Sequence, residues 1–278
     1  MNMTRSFRKL FTIGVLATLI LVGGSVSSWA THDWNNYHWA RTSNPMPLKV
    51  VDSVDGDWQL DFNIALAEWN LSGALNMSVS SADDSGRTRK RCKMQPGQIR
   101  VCNATYGPNG WLGLATIGLD ANGHIDQGSA KMNDSYSSYW AIPDEKRHVM
   151  CQEIGHLFGL GHTSEDGTSQ QTCMDYSSDP MSISPNQHDY DLLVQIYGHM
   201  DTYNSYDTGS GSGGDTGDNK PCNPKKPGCT GFDLPIGVPP GAVRVHRGPH
   251  EETWVKGRPD GGLWIFHVRL APEDHDHK

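Results

Sequence analysis

The residues best suited to chemistry lie together in the run Cys151-Gln152-Glu153-Ile154-Gly155-His156-Leu157-Phe158-Gly159-Leu160-Gly161-His162. Side chains four residues apart on a helix sit about 6 Å apart along one face, so Gln152 and His156 can point at one ion with Glu153 beside them. His162 comes too late to share that face on an unbroken helix. Gly159 and Gly161 can end the helix in a left-handed turn and swing His162 back, so that three side chains converge as around a metal ion. His148 also shares the Gln152 face, but it lies about 12 Å from His156 along the axis, too far to bind the same ion. It reads as a surface residue.

Such a site needs a helix beneath it and a frame around it. The sequence predicts that helix from about Pro143 to Gly159, with Pro143 in the first turn and Asp144 and Glu145 favourably placed against the helix dipole. Trp58, Phe62, Ala65, Leu66 and Trp69 recur at helical spacing and predict an amphipathic helix over 58–70, after a short strand at 48–51. Short β-type runs at 75–80, 98–102, 111–117 and 124–132 are separated by turn residues such as Asp120-Ala121-Asn122-Gly123, which implies a small twisted sheet. A further helix is expected with Ser184 as N-cap and Pro185 at its first position, burying Tyr190, Leu193, Val194 and Tyr197. Beyond it the texture changes. Residues 204–219 are almost only Gly, Ser, Asp, Thr, Asn and Tyr and read as a flexible linker. The runs 242–247, 253–256 and 263–270 then alternate apolar and polar residues as a small β-meander would.

The helix run resembles the metzincin zinc-peptidase signature H-E-x-x-H-x-x-G-x-x-H, and is most similar to matrixin-type members found in secreted bacterial proteins. Glu153, His156, Gly159 and His162 match it, and Cys173-Met174-Asp175-Tyr176 is similar to the family's Met-turn, whose methionine lies beneath the metal. The resemblance covers about residues 45 to 200. It implies an α+β catalytic domain with a small mixed sheet, an active-site helix, a Met-turn and a C-terminal helix, followed here by the linker and a small β module. It implies Zn²⁺ as cofactor, held by Gln152, His156 and His162, with Tyr176 as a candidate extra ligand, since a Tyr at that place reaches the metal in astacin-like and serralysin-like members. Glu153 is then the general base that deprotonates water and returns the proton to the leaving amine. Trp111-Leu112-Gly113-Leu114-Ala115-Thr116 is similar to the family's edge strand, which pairs with an extended substrate. One position departs from the signature: Gln152 stands where the family has its first metal-binding His, and an amide oxygen is a weaker donor for zinc than imidazole.

The rest of the chain sets the compartment. Arg5, Arg8 and Lys9, an apolar run from Leu10 to Val22 and Ser28-Trp29-Ala30 read as a secretory signal cut after Ala30, since the apolar run falls short of the ~20 residues that a spanning helix needs. In an exported chain six cysteines read as disulfides. Spacing favours Cys92 with Cys102 and Cys222 with Cys229, which leaves Cys151 with Cys173. The 31 acidic against 23 basic residues, with no basic stripe, speak against nucleic acid as a partner. The expected organisation is therefore a signal peptide over 1–30, a metallopeptidase domain over 31–203, a linker over 204–219 and a C-terminal β module with a charged tail over 220–278. The expected function is a secreted zinc endopeptidase acting on a protein or peptide substrate, with no membrane span. The rival reading is a catalytically inactive metzincin fold that binds peptides or a surface partner.

Overall fold

The computed structural model describes residues 32–206 and 237–272. The expected signal peptide, the Cys222/Cys229 pair, most of the linker and the charged tail lie outside the described residues. Among the described residues eight strands form: β1 (Lys49–Ser53), β2 (Ser78–Ala82), β3 (Gln98–Ala104), β4 (Trp111–Leu119), β5 (Ile125–Asn133), β6 (Val243–Arg247), β7 (Glu251–Gly257) and β8 (Leu263–Leu270). They make one mixed sheet in the order β2-β1-β3-β5-β4-β8-β7-β6. β2, β1, β3 and β5 run parallel, and β4 lies antiparallel to both β5 and β8. The helices are α1 (Gln59–Trp69), α2 (Gly86–Arg91), α3 (Glu145–His156) and α4 (Gln187–Ile196). The class is α+β.

The stripe read from the sequence puts Phe62, Ala65, Leu66 and Trp69 of α1 in the main core with Val149, Ile154, Leu157 and Phe158. Burying side chains of this size contributes roughly 1.5–3 kcal/mol each, and an indole gains it in full only if its N–H stays paired. Both conditions are met: Trp69 Nε1 donates to Cys151 O at 3.0 Å and Trp39 Nε1 to Leu157 O at 2.9 Å. These two bonds seat α3 at its middle and at its C-terminal end. The disulfides Cys92–Cys102 and Cys151–Cys173 are both present, as the spacing predicts. The second closes a 22-residue separation, worth about 3 kcal/mol on chain entropy, and joins α3 to the turn that carries Met174. No helix among the described residues is long and apolar enough to cross a membrane.

Four expectations are corrected. Helix α3 begins at Glu145 because Asp144 sits in a left-handed turn at φ 67°, leaving Pro143 outside. Helix α4 is capped by Asn186 rather than Ser184. The Asn186 side chain accepts from the backbone N–H groups of His188 and Asp189, and Asp189 Oδ2 accepts from the Asn186 N–H, while Ser184 Oγ is engaged by Glu68 and Arg147. Residues 204–206 belong to the folded body: Ser205 N–H donates to Ala40 O and Tyr206 is buried against the core. The fourth correction bears on function. The C-terminal meander is not a free-standing module, because β8 hydrogen-bonds along the whole of β4 and extends the same sheet. The side chains of β8 alternate with period two. Trp264, Phe266 and Val268 pack with Leu114 and Tyr106 in a second core, while Ile265 joins the main core. His267 and Arg269 share the parity of Ile265, so these buried polar residues face α3.

Candidate metal centre

Helix α3 presents His148, Gln152 and His156 one turn apart, all buried. After it the chain turns at Gly159, where φ is 91° and a Cβ would stand 1.8 Å from Tyr37 O, so both the conformation and the space require glycine. That turn brings His162 back over the helix end, as the sequence implies. His156 Nε2 and His162 Nε2 lie 3.1 Å apart. Trp34, from the N-terminal segment, packs against His156 with its ring centroid 5.7 Å away.

The acceptors around these rings settle their tautomers. His156 Nδ1 lies 2.8 Å from Leu160 O and must donate its proton there. His162 Nδ1 lies 2.9 Å from Glu251 Oε2 and donates to that carboxylate. Burial holds His156 well below the usual histidine pKa and brings His162 down to about 4, with neighbouring His267 acting in the same direction on both. Both rings are therefore neutral near pH 7, with the lone pairs on the two Nε2 atoms facing each other. Two bare lone pairs at this distance repel unless a cation lies between them. Tetrahedral zinc with bonds of 2.0–2.1 Å spaces its nitrogens about 3.3 Å apart, so the pair fits such an ion.

The third nitrogen comes from β8. His267 stacks 4.0 Å from His156 and 4.6 Å from His162, centroid to centroid, and each of the three residues offers a ligand atom within 4.8 Å of the other two. His267 Nε2 is bonded to Glu251 Oε2, while its Nδ1 is buried with no hydrogen-bond partner. Glu251, on β7, thus orients two of the three rings. Burial opposes its ionisation, but His162 and His267 hold its carboxyl well below the ordinary glutamate range.

The structure disposes the other predicted residues differently. Gln152 faces the site, but its Oε1 accepts from Arg269 Nη1 at 2.5 Å and its Nε2 donates to Asp175 O at 3.0 Å, so both ends of the amide are engaged. Tyr176 stacks on His162 at 4.4 Å and donates its hydroxyl to Glu251 Oε2 at 3.3 Å, while burial pushes its pKa well above 10. It reaches the site through Glu251. Met174 lies in the main core, and its carbonyl accepts from the N–H of Thr163, which ties the residue after His162 to that turn. His148, expected at the surface, is buried with Nε2 2.9 Å from Asp175 O and 3.3 Å from Arg269 Nη1.

No protein-family model and no curated protein matches this chain.

Glu153 is wholly buried, and neither carboxylate oxygen has a hydrogen-bond partner. Burial pushes its pKa up to about 8, against the opposing pull of Arg269. Its side chain packs against β4 at Gly113, where an added Cβ would stand 2.2 Å from Oε1. The strand expected as a free edge for substrate is hydrogen-bonded on both sides, by β5 and by β8. Sequence reasoning missed His267, Glu251 and Arg269. The alternation in 263–270 puts His267 and Arg269 on the face of Ile265, but that this face is covered follows only from the pairing of β8 with β4. A groove of about 790 Å³, lined by Tyr139, Glu145, Tyr176, His250 and Arg269 among others, leads to the outer side of the Tyr176 and Arg269 pair.

Proposed function

We propose that the chain is an exported zinc-dependent peptidase of the kind its helix motif resembles, held in a self-covered form. The observation that carries this reading is the 3.1 Å approach of the bare His156 and His162 Nε2 atoms, with the buried, unpartnered carboxyl of Glu153 on the same helix one turn before His156. His156, His162 and His267 would hold the metal in the covered form, and when β8 leaves with His267 and Arg269 the amide oxygen of Gln152, released by Arg269, would take the third place. Zinc in that position supplies Lewis acidity, polarising a peptide carbonyl and acidifying water at neutral pH. Glu153 is the base. Its dry surroundings favour the protonated acid, and admission of water and substrate would lower its pKa towards the range in which it takes a proton from the attacking water. Glu251 fixes the orientation of His162 and His267, and Tyr176 steadies Glu251. Strand β8 lies antiparallel along β4, where an extended peptide would add, so turnover requires β8 to leave that edge.

The same covering favours a second reading, in which the metal is only a clasp between α3 and the C-terminal strands. The two readings separate on one set of variants. His267→Ala/Arg269→Ala removes both β8 side chains from the site. Assayed with added zinc against a broad peptide library, this variant is expected to cleave faster than the wild-type chain, and Glu153→Ala in the same background to abolish cleavage while keeping the fold. Folded, zinc-loaded proteins that cleave nothing in either form would overturn the peptidase reading and leave the clasp.

A further inference from the structure

A second set of histidines lies away from the centre built on α3. His38 comes from the N-terminal segment, His124 from the turn between β4 and β5, and His199 and Asp201 from the chain just beyond α4. His38 Nε2 and His199 Nε2 are 3.1 Å apart. Asp201 Oδ1 stands 3.4 Å from His124 Nε2 and 3.6 Å from His199 Nε2, and its Oδ2 stands 4.0 Å from His38 Nε2. His38, His199 and Asp201 each offer a ligand atom within 4.8 Å of the other two.

The surroundings orient these groups as ligands. His38 Nδ1 donates to Asn36 O at 2.7 Å, which turns Nε2 towards His199. Tyr203 gives its hydroxyl proton to Asp120 Oδ2 at 2.5 Å, and its oxygen lies 2.8 Å from His124 Nδ1, which turns His124 Nε2 towards Asp201. Asp201 is locked from outside, since the Arg41 N–H donates to Oδ2 at 2.8 Å and the Asp201 N–H donates to Arg41 O. Arg41 Nε also holds His199 O at 3.1 Å. Outer partners that fix tautomer and ring orientation are what a metal site requires. His38 Nε2 and the Asp201 carboxylate both face His199 Nε2, an arrangement that a cation can complete.

We propose that His38, His199 and Asp201 form a second site for a divalent transition metal, with zinc as the ion their chemistry suits best. Two imidazoles and one carboxylate are donors that zinc prefers, and His124, whose Nε2 stands 3.4 Å from Asp201 Oδ1, orients the carboxylate from outside. The ion pins the N-terminal segment to the exit of α4. The site is structural, and it stands whether or not the first centre is catalytic.

The test is zinc titration of the metal-stripped full chain, with the bound metal counted by mass spectrometry and the melting temperature followed in parallel. The wild-type chain is expected to take one equivalent more than His124→Ala/His199→Ala. A chain carrying His156→Ala/His162→Ala is expected to keep one equivalent and to melt higher with zinc than without it. Because His199 is half exposed, His199→Ala alone gives the same comparison with little risk to folding. Metal bound elsewhere, including by the tail histidines, cancels in these differences. If the first centre binds nothing, the wild-type count falls by one but the difference persists. Equal counts in wild type and His124→Ala/His199→Ala, or a melting temperature that zinc does not move in His156→Ala/His162→Ala, would overturn the proposal.

Discussion

Replacing Gln152 by His would restore the residue that the zinc-peptidase signature has at this position, and on ligand chemistry alone it should tighten zinc. The structure leads to the opposite expectation. Arg269 is buried, and Gln152 Oε1 is its 2.5 Å acceptor. An imidazole at 152 whose proton is given to Asp175 O could keep one bond, but it withdraws the amide oxygen from a guanidinium that has no water to turn to. A hydrogen bond to a charged group is worth about 1.5–3 kcal/mol, so Gln152→His should lower stability by about 2 kcal/mol, roughly a 30-fold fall in the folding constant. With a urea slope of about 2–3 kcal/mol/M, the unfolding midpoint drops by about 0.7–1 M. Zinc affinity, measured by chelator competition on the folded variant, should stay within about threefold of wild type, because His267 already supplies the third nitrogen. Gln152→Glu, which keeps an acceptor for Arg269, should lose less stability than Gln152→His. A Gln152→His chain that binds zinc tenfold tighter at unchanged stability would refute the reasoning and return Gln152 to the ligand set.

Other perturbations address the same arrangement. Gly113→Ala would bring a Cβ to within 2.2 Å of Glu153 Oε1, and displacing that buried carboxyl is expected to cost about 1–3 kcal/mol in denaturant unfolding without loss of zinc. Glu251→Gln removes the carboxylate that orients His162 and His267 and should weaken zinc about 10–100-fold in a chelator titration while the stoichiometry holds. His148 is buried, with its pKa held well below 6.5 by desolvation and by Arg269. A base with a depressed folded-state pKa is protonated first in the unfolded chain, so stability falls as pH drops below about 6.5, by up to ~1.4 kcal/mol per pH unit. His148→Gln should flatten that slope between pH 6.5 and 5 in urea unfolding, and an unchanged slope would place the titration elsewhere.

What could be read from the chain is what short-range spacing determines. The stripe Phe62, Ala65, Leu66, Trp69 could only be the buried face of a helix, and the glycines at 159 and 161 could only bend the chain after His156, so α1, α3 and the approach of His162 were legible. The two disulfides among the described residues were legible because few pairings close short loops. Boundaries moved where two polar residues competed for one cap, as Asn186 and Ser184 do at α4, since the winner depends on what Glu68 and Arg147 claim from across the fold.

The third nitrogen at the centre could not be read this way. His267 lies more than a hundred residues from His162 in sequence, and nothing local distinguishes it from a solvent-facing histidine on an alternating strand. Only the pairing of β8 with β4 turns the face carrying Ile265, His267 and Arg269 inward, and that pairing is a contact between segments far apart in the chain. The same contact gives Gln152 an Arg partner and closes the edge that local pattern marked as open. Sequence by itself determined which residues had the chemistry of ligands and base. The tertiary structure decided which of them meet, because strand register and sheet order are set by the summed burial of both faces, and no single segment carries that sum.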